Sequence, residues 1–104
     1  MQVLLKVTYP PSAIKKVIDV YMSPELPKRP EYAKEVASFV YGDGEGYHSL
    51  VLLEVENSRL ADYMSAQTER SVYMQSRIEG LKVEVYPGHS VMDAIALVSK
   101  HLPK

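Results

Sequence analysis

The chain has 104 residues, enough for one domain with a single core but small enough that association would add usefully to its buried surface. Twelve Lys and Arg against thirteen Asp and Glu leave a formal charge of −1, which supplies no long-range attraction for a phosphate backbone or an acidic membrane. With no Cys, the chain offers no disulfide, thiolate nucleophile, Cys-ligated zinc or iron–sulfur cluster, and a reducing cytoplasm fits best.

Residues 2–9 alternate Val3, Leu5 and Val7 with Leu4, Lys6 and Thr8, a strand pattern stopped by Pro10-Pro11. The stretch Met1 to Val7 has no basic leader, and Lys6 interrupts its apolar run well short of a membrane span, so it reads as a first strand and not as a targeting signal. Ser12 is placed to cap a helix whose apolar residues Ile14, Val17, Ile18 and Tyr21 recur at helical spacing, and Pro24 ends it. Ser23 to Tyr32 carries Pro24, Pro27 and Pro30, too proline-dense for a regular element, and is expected to be an ordered crossover able to cover a pocket mouth.

Two alternating apolar runs, Glu35 to Tyr41 and Tyr47 to Glu56, flank Gly42-Asp43-Gly44-Glu45-Gly46. Asp43-Gly44 at the centre predicts a two-residue type I′ hairpin turn, pairing Phe39 with His48, Val40 with Tyr47 and Val36 with Val51. Asn57 or Ser58 then caps a second helix bearing Leu60, Met64, Val72, Met74 and Ile78. Its middle, Ser65 to Ser71, is polar on every side, so a kink or break is expected there. Gly80 ends that helix, Leu81, Val83 and Val85 alternate with Lys82, Glu84 and Tyr86 in a fourth strand, and Pro87-Gly88 closes it. The last element is a helix with a Ser90/Asp93 capping box and an apolar stripe of Val91, Ala94, Ile95, Val98 and Leu102 that requires burial.

Strand, helix, hairpin, helix, strand is the split βαβ arrangement, whose usual antiparallel order puts strands one and three in the centre and strand four at one edge. With both principal helices on one face, Val3, Leu5, Val7, Val36, Val40, Val51, Leu53, Val55, Leu81, Val83 and Val85 form the expected core. The opposite face then carries Leu4, Lys6, Thr8, Ala37, Phe39, Tyr41, His48, Leu50, Leu52, Glu54, Lys82, Glu84 and Tyr86, too apolar a set to be left in water.

Element order, the Tyr41-to-His48 hairpin and this mixed open face resemble the dimeric α/β-barrel superfamily, in which two ferredoxin-like subunits pack their sheets face to face. The resemblance covers about residues 1–87. It implies one α+β domain over residues 1–104, with a ferredoxin-like βαββαβ antiparallel sheet, helices on one face, and an additional C-terminal helix at about residues 90–102. It also implies a homodimer through the open sheet faces. Antibiotic-biosynthesis-type monooxygenases, muconolactone-isomerase-like proteins and stress-responsive barrel proteins are similar in size, so the fold does not select a reaction. The helix from Ser90 departs from the minimal pattern, and either caps its own sheet or crosses to the partner.

His48 is the leading candidate for acid–base chemistry, since imidazole titrates near neutrality. On the open face it groups with Thr8, Phe39, Tyr41 and Lys82 at one sheet end, a candidate small-molecule pocket with aromatic walls. The competing reading makes it a dimer-interface histidine hydrogen-bonded across the sheet. Leu4, Lys6, Leu50, Leu52, Glu54, Glu84 and Tyr86 are the expected dimer interface, with Lys6 pairing to Glu84 or Glu54, because an unpaired buried charge there would be costly.

Asp43 and Glu45 lack the spacing of a calcium loop, Gly42-x-Gly44-x-Gly46 lacks the helix of a dinucleotide fingerprint, and His48, His89 and His101 are not spaced as ligands. No metal or cofactor is expected. The central-strand positions Leu4, Lys6, Thr8, Leu50 and Leu52 offer no aromatic platform for stacking bases, which argues against RNA binding. Sequence thus favours a noncatalytic small-molecule-binding or interaction module that dimerises in the cytoplasm, without nucleic acid or membrane. The alternative is a cofactor-independent monooxygenase- or isomerase-like enzyme acting on a small oxygenated or aromatic substrate with His48 as acid or base.

Overall fold

The aliphatic alternation of residues 2–9 forms strand β1 (Gln2–Tyr9), which runs through the middle of an antiparallel sheet in the computed structural model, where residues 1–103 are described. β1 pairs with β3 (Gly46–Glu54) on one side and β4 (Lys82–Gly88) on the other, and β2 (Lys34–Asp43) lies outside β3. The four-stranded order is therefore β2-β3-β1-β4, with the first and third strands central, as expected. Three helices, α1 (Ile14–Tyr21), α2 (Leu60–Gln75) and α3 (Val91–Ser99), complete an α+β fold. None of the described helices is long and apolar enough to cross a membrane.

Val3, Leu5 and Val7 of β1 point to one side, where Val17 and Val20 of α1 and Tyr63 and Met74 of α2 bury them. Val55, Leu53, Ile78 and Leu81 join this core, and Val51, Val83 and Val85 pack at its margin. Two expected core residues do not. Val36 and Val40 are 55% and 58% exposed, because β2 is an edge strand over which the helices do not extend and because Val36 sits in a β-bulge between Glu35 and Ala37. The bulge reverses the strand's facing, so Glu35 lies opposite the buried Leu53 and turns toward the helices.

The hairpin differs from the expected type I′ turn. Gly44 and Glu45 form the connection, Asp43 faces Gly46, and the register runs Phe39 to Leu50 and Tyr41 to His48, two residues along from the expected pairing. Asp43 Oδ1 accepts the Glu45 N–H at 2.8 Å, and the positive φ falls on Gly46 at 131°, not on Asp43 or Gly44. A Cβ on Gly46 would stand 2.3 Å from the Tyr9 carbonyl oxygen, so this position admits only glycine. A two-residue slip preserves which side chains share a face, since strand side chains alternate with period two. The open-face set survives intact for that reason.

α1 is preceded by a 3-10 turn, Pro11–Ala13, that contains Ser12, so Ser12 does not cap it. Its buried stripe is Val17 and Val20, and Ile14, Ile18 and Tyr21 are substantially exposed. Asn57 and Ser58 likewise lie in a 3-10 turn, with no side-chain cap on α2. α2 is continuous through its polar middle. Gln67 is buried there, and it bridges the helix by accepting from Tyr63 Oη at 3.2 Å and donating to Ser71 Oγ at 3.0 Å. This ladder at i, i+4 spacing satisfies polar groups that would otherwise break the helix, and Val72, counted in the apolar stripe, is exposed.

Ser90 caps α3 by accepting the Asp93 N–H at 3.2 Å, as the sequence predicts. No residue of α3 is buried, however, and Val91, Met92, Ile95 and Val98 are each more than half exposed. The radius of gyration is 16.0 Å. A compact domain of this length should measure about 13 Å, so parts of the chain project from the core.

Candidate functional site

The register arranges the open face in rows that cross the whole sheet. Tyr41, His48, Thr8 and Lys82 form the row nearest the hairpin turn, Phe39, Leu50, Lys6 and Glu84 the next, and Ala37, Leu52, Leu4 and Tyr86 the third. Every expected ligand residue thus lies in the first row except Phe39, which stacks on Tyr41 with ring centroids 5.6 Å apart. The expected interface residues fill the rows behind, with Glu54 exposed at the far end.

His48 is only 3% exposed, and both its ring nitrogens have partners. Nδ1 lies 3.1 Å from Thr8 Oγ1 and Nε2 lies 2.9 Å from Asp43 Oδ1, while the ring stacks on Tyr41 at 4.7 Å and 21°. A carboxylate can only accept, so Nε2 carries the hydrogen toward Asp43, and in the neutral ring Nδ1 then accepts from the Thr8 hydroxyl. This tautomer satisfies every polar atom of the ring. The hydrogen bond from His48, reinforced by the Glu45 N–H, lowers the Asp43 pKa below its ordinary value.

Asp43 is the member of this cluster that sequence reasoning missed, having assigned it wholly to the turn. Asp43 shares the open face with Tyr41 and sits diagonal to His48, within reach of a long side chain once the register is known. Asp43, Glu45 and His48 offer one ligand atom each within 4.8 Å of one another. The hydrogen bonds of Asp43 to His48 and to the Glu45 amide account for that grouping without an ion.

Lys82 pairs with Glu84, Nζ to Oε1 3.6 Å, and Tyr86 donates its hydroxyl to Glu84 Oε2. The Tyr86 hydrogen bond, followed by the nearby charges of Lys82 and Lys6, holds the Glu84 carboxyl below the usual range, and the same bond raises the Tyr86 phenol. The expected cross-strand Lys6–Glu84 bridge is replaced, among the described residues, by this pairing along β4. Behind the first row, Leu4, Ala37, Phe39, Leu50 and Leu52 border a hollow of about 150 Å³. That is below the size of most ligand pockets, about 300 Å³ and upward, and closer to what one inserted side chain fills.

On the other side of the sheet, the fold brings Arg29 of the crossover and Arg70 of α2 to one cleft. Sequence reasoning passed over both. The only signal was a cation in the polar middle of a helix that still had a face to bury. No protein-family model matches the chain, and no curated protein or solved structure matches it at a significant level.

Proposed function

We propose that the protein is a binding module of ferredoxin-like topology that forms a homodimer by packing two open sheet faces together, in the manner of a dimeric α/β barrel. One observation carries this reading: an apolar hollow bordered by Leu4, Phe39, Leu50 and Leu52 lies on a sheet face that none of the described helices covers. A two-fold contact must be self-complementary, and the face has the means. Its apolar centre is flanked by Lys6 and Lys82 on one hand and Glu84 and Glu54 on the other. α3, which buries none of its apolar residues on its own subunit, is positioned to pack on the partner.

A noncatalytic role fits His48 best, because both nitrogens are engaged and the ring is shielded by Tyr41. The enzymatic alternative draws on the hydroxyl–imidazole–carboxylate series of Thr8, His48 and Asp43, and it requires His48 to release a partner before it can move a proton.

Light scattering after gel filtration tests the dimer. The wild-type chain is expected at twice its 11.7 kDa mass, and Leu52→Glu at the monomer mass, because it places a charge in the apolar centre of the contact. A monomeric wild type, or a Leu52→Glu dimer that persists on dilution, overturns the reading.

A further inference from the structure

On the helix-facing side of the sheet, the bulge in β2 turns Glu35 toward the proline-rich crossover, where Arg29 Nη1 lies 3.6 Å from its Oε1. Arg70 reaches the same region from the middle of α2. Its Nη1 donates to the Pro27 carbonyl at 2.6 Å, and its guanidinium lies 5.8 Å from the centre of the Tyr21 ring. Tyr21, Arg29, Glu35 and Arg70 line a cleft of about 320 Å³ whose accessible apolar wall is made by Phe39, Val40 and Val51, with Val7 and Met74 buried beneath it.

The cleft is unbalanced in charge and in hydrogen bonding. Two guanidinium groups meet one carboxylate. Each guanidinium has five N–H donors in a fixed fork. Arg70 spends one on a neutral carbonyl and forms no salt bridge among the described residues. Arg29 Nε is buried with no hydrogen-bond partner, and the Arg29–Glu35 contact is longer than a hydrogen bond. Burial lowers the Arg70 pKa from its ordinary value and the like charge of Arg29 adds to this, against the opposing pull of the Tyr21 phenol. Burial also raises the Tyr21 phenol. Partly desolvated cations with unused donors are unfavourable unless an anion completes them.

We infer that this cleft binds a small organic carboxylate, its oxygens held between the Arg29 and Arg70 guanidinium groups and its apolar body laid against Val40 and Val51. The planar fork of arginine matches a carboxylate better than a point charge would. The cleft lies near the lower end of ligand-pocket sizes, about 300–1,000 Å³, which restricts the ligand to a compact acid. The two guanidinium groups lie on the helix-facing side of the sheet, and Phe39 at the β2 edge borders both this cleft and the open-face hollow; the inference rests on the guanidinium pair and not on dimerisation, so the Leu52→Glu variant is expected to bind equally well.

The arginine Nε–H signals in ¹H–¹⁵N spectra of the full chain report directly on the cleft. Phenylacetate, its neutral amide and inorganic phosphate serve as probes at constant pH and ionic strength. Phenylacetate is expected to shift the Arg29 and Arg70 signals along one saturable curve, and phenylacetamide to bind about tenfold more weakly or worse. Arg29→Met is expected to weaken phenylacetate binding by about tenfold, and Glu35→Gln to tighten it severalfold by removing the competing carboxylate. Arg70→Met also frees the Pro27 carbonyl and loosens the crossover, so Arg29→Met and Glu35→Gln, neither of which breaks a hydrogen bond, carry the decision. No saturable shift of either signal, equal affinity for acid and amide, or weaker binding by Glu35→Gln overturns the inference. Phosphate binding as tightly as phenylacetate overturns the assignment to an organic acid.

Discussion

His48→Ala should remove the main polar anchor of the hairpin without touching the helical core. The imidazole is almost wholly buried, so its loss leaves a cavity, breaks the bond with the Thr8 hydroxyl and deletes the stack on Tyr41. The neutral hydrogen bond contributes about 1 kcal/mol, the stack about 1 kcal/mol, and the partly collapsible cavity about 1 kcal/mol more. Asp43 is exposed and rehydrates when the ring is gone, so loss of its bond adds only a small further amount. The expected loss is about 3 kcal/mol, or a melting temperature lower by about 12–24 °C for a domain of this size. Urea unfolding followed by circular dichroism measures it, at fixed protein concentration because a dimer's midpoint depends on concentration. Thr8→Val should cost about 1 kcal/mol alone and much less in the His48→Ala background, giving a coupling energy near 1 kcal/mol. A loss below about 0.5 kcal/mol, within the ordinary range for surface substitutions, would refute the view of His48 as a structural pin.

Gly46→Ala is expected to destabilise the chain by about 3 kcal/mol or more, since both the φ of 131° and the Tyr9 carbonyl exclude a side chain; a urea midpoint within error of wild type would contradict it. Gln67→Leu should cost about 1–3 kcal/mol by orphaning the buried Tyr63 hydroxyl, and Tyr63→Phe added to it should restore most of that loss, as read by thermal melts of the three variants. The Asp43 and Glu84 carboxyls both have depressed pKa values in the folded chain. Their contribution to stability is therefore complete above the unfolded carboxylate values of about 4 and is lost as pH falls through the lower folded values. Asp43→Asn should flatten the fall in urea midpoint below about pH 4, and an unchanged slope would remove Asp43 from the account.

Much of the sheet was legible because strand alternation is robust to small errors of register. The hairpin was misplaced by two residues, yet Phe39, Tyr41, His48, Leu50 and Leu52 still fell on the correct face. Several features that depend on a single residue were not legible. The bulge at Val36 removed that residue from the core, and nothing in an apolar, β-branched run announces an unpaired position. The break expected in α2 failed for a related reason. Ser65 to Ser71 looks polar when composition is read alone, but Gln67 completes a ladder with Tyr63 and Ser71 that permits burial. Asp43 beside His48, and Arg29 beside Arg70, are contacts of the folded chain, and no local pattern encodes them.

The central position of β1 also constrains how the chain folds. The β2–β3 hairpin closes locally, across two residues, and can form in microseconds on its own. β1 must instead wait for partners far along the chain, pairing Leu4 with Leu52 and then with Tyr86. Such distant closures slow folding, because chain entropy is lost before contacts compensate for it. During synthesis the first apolar strand therefore stays unpaired until β3 has emerged, and its second edge stays open until β4 follows. The slow step should be the docking of β1 between them, with mutations in the already formed hairpin turn mainly altering the folding rate.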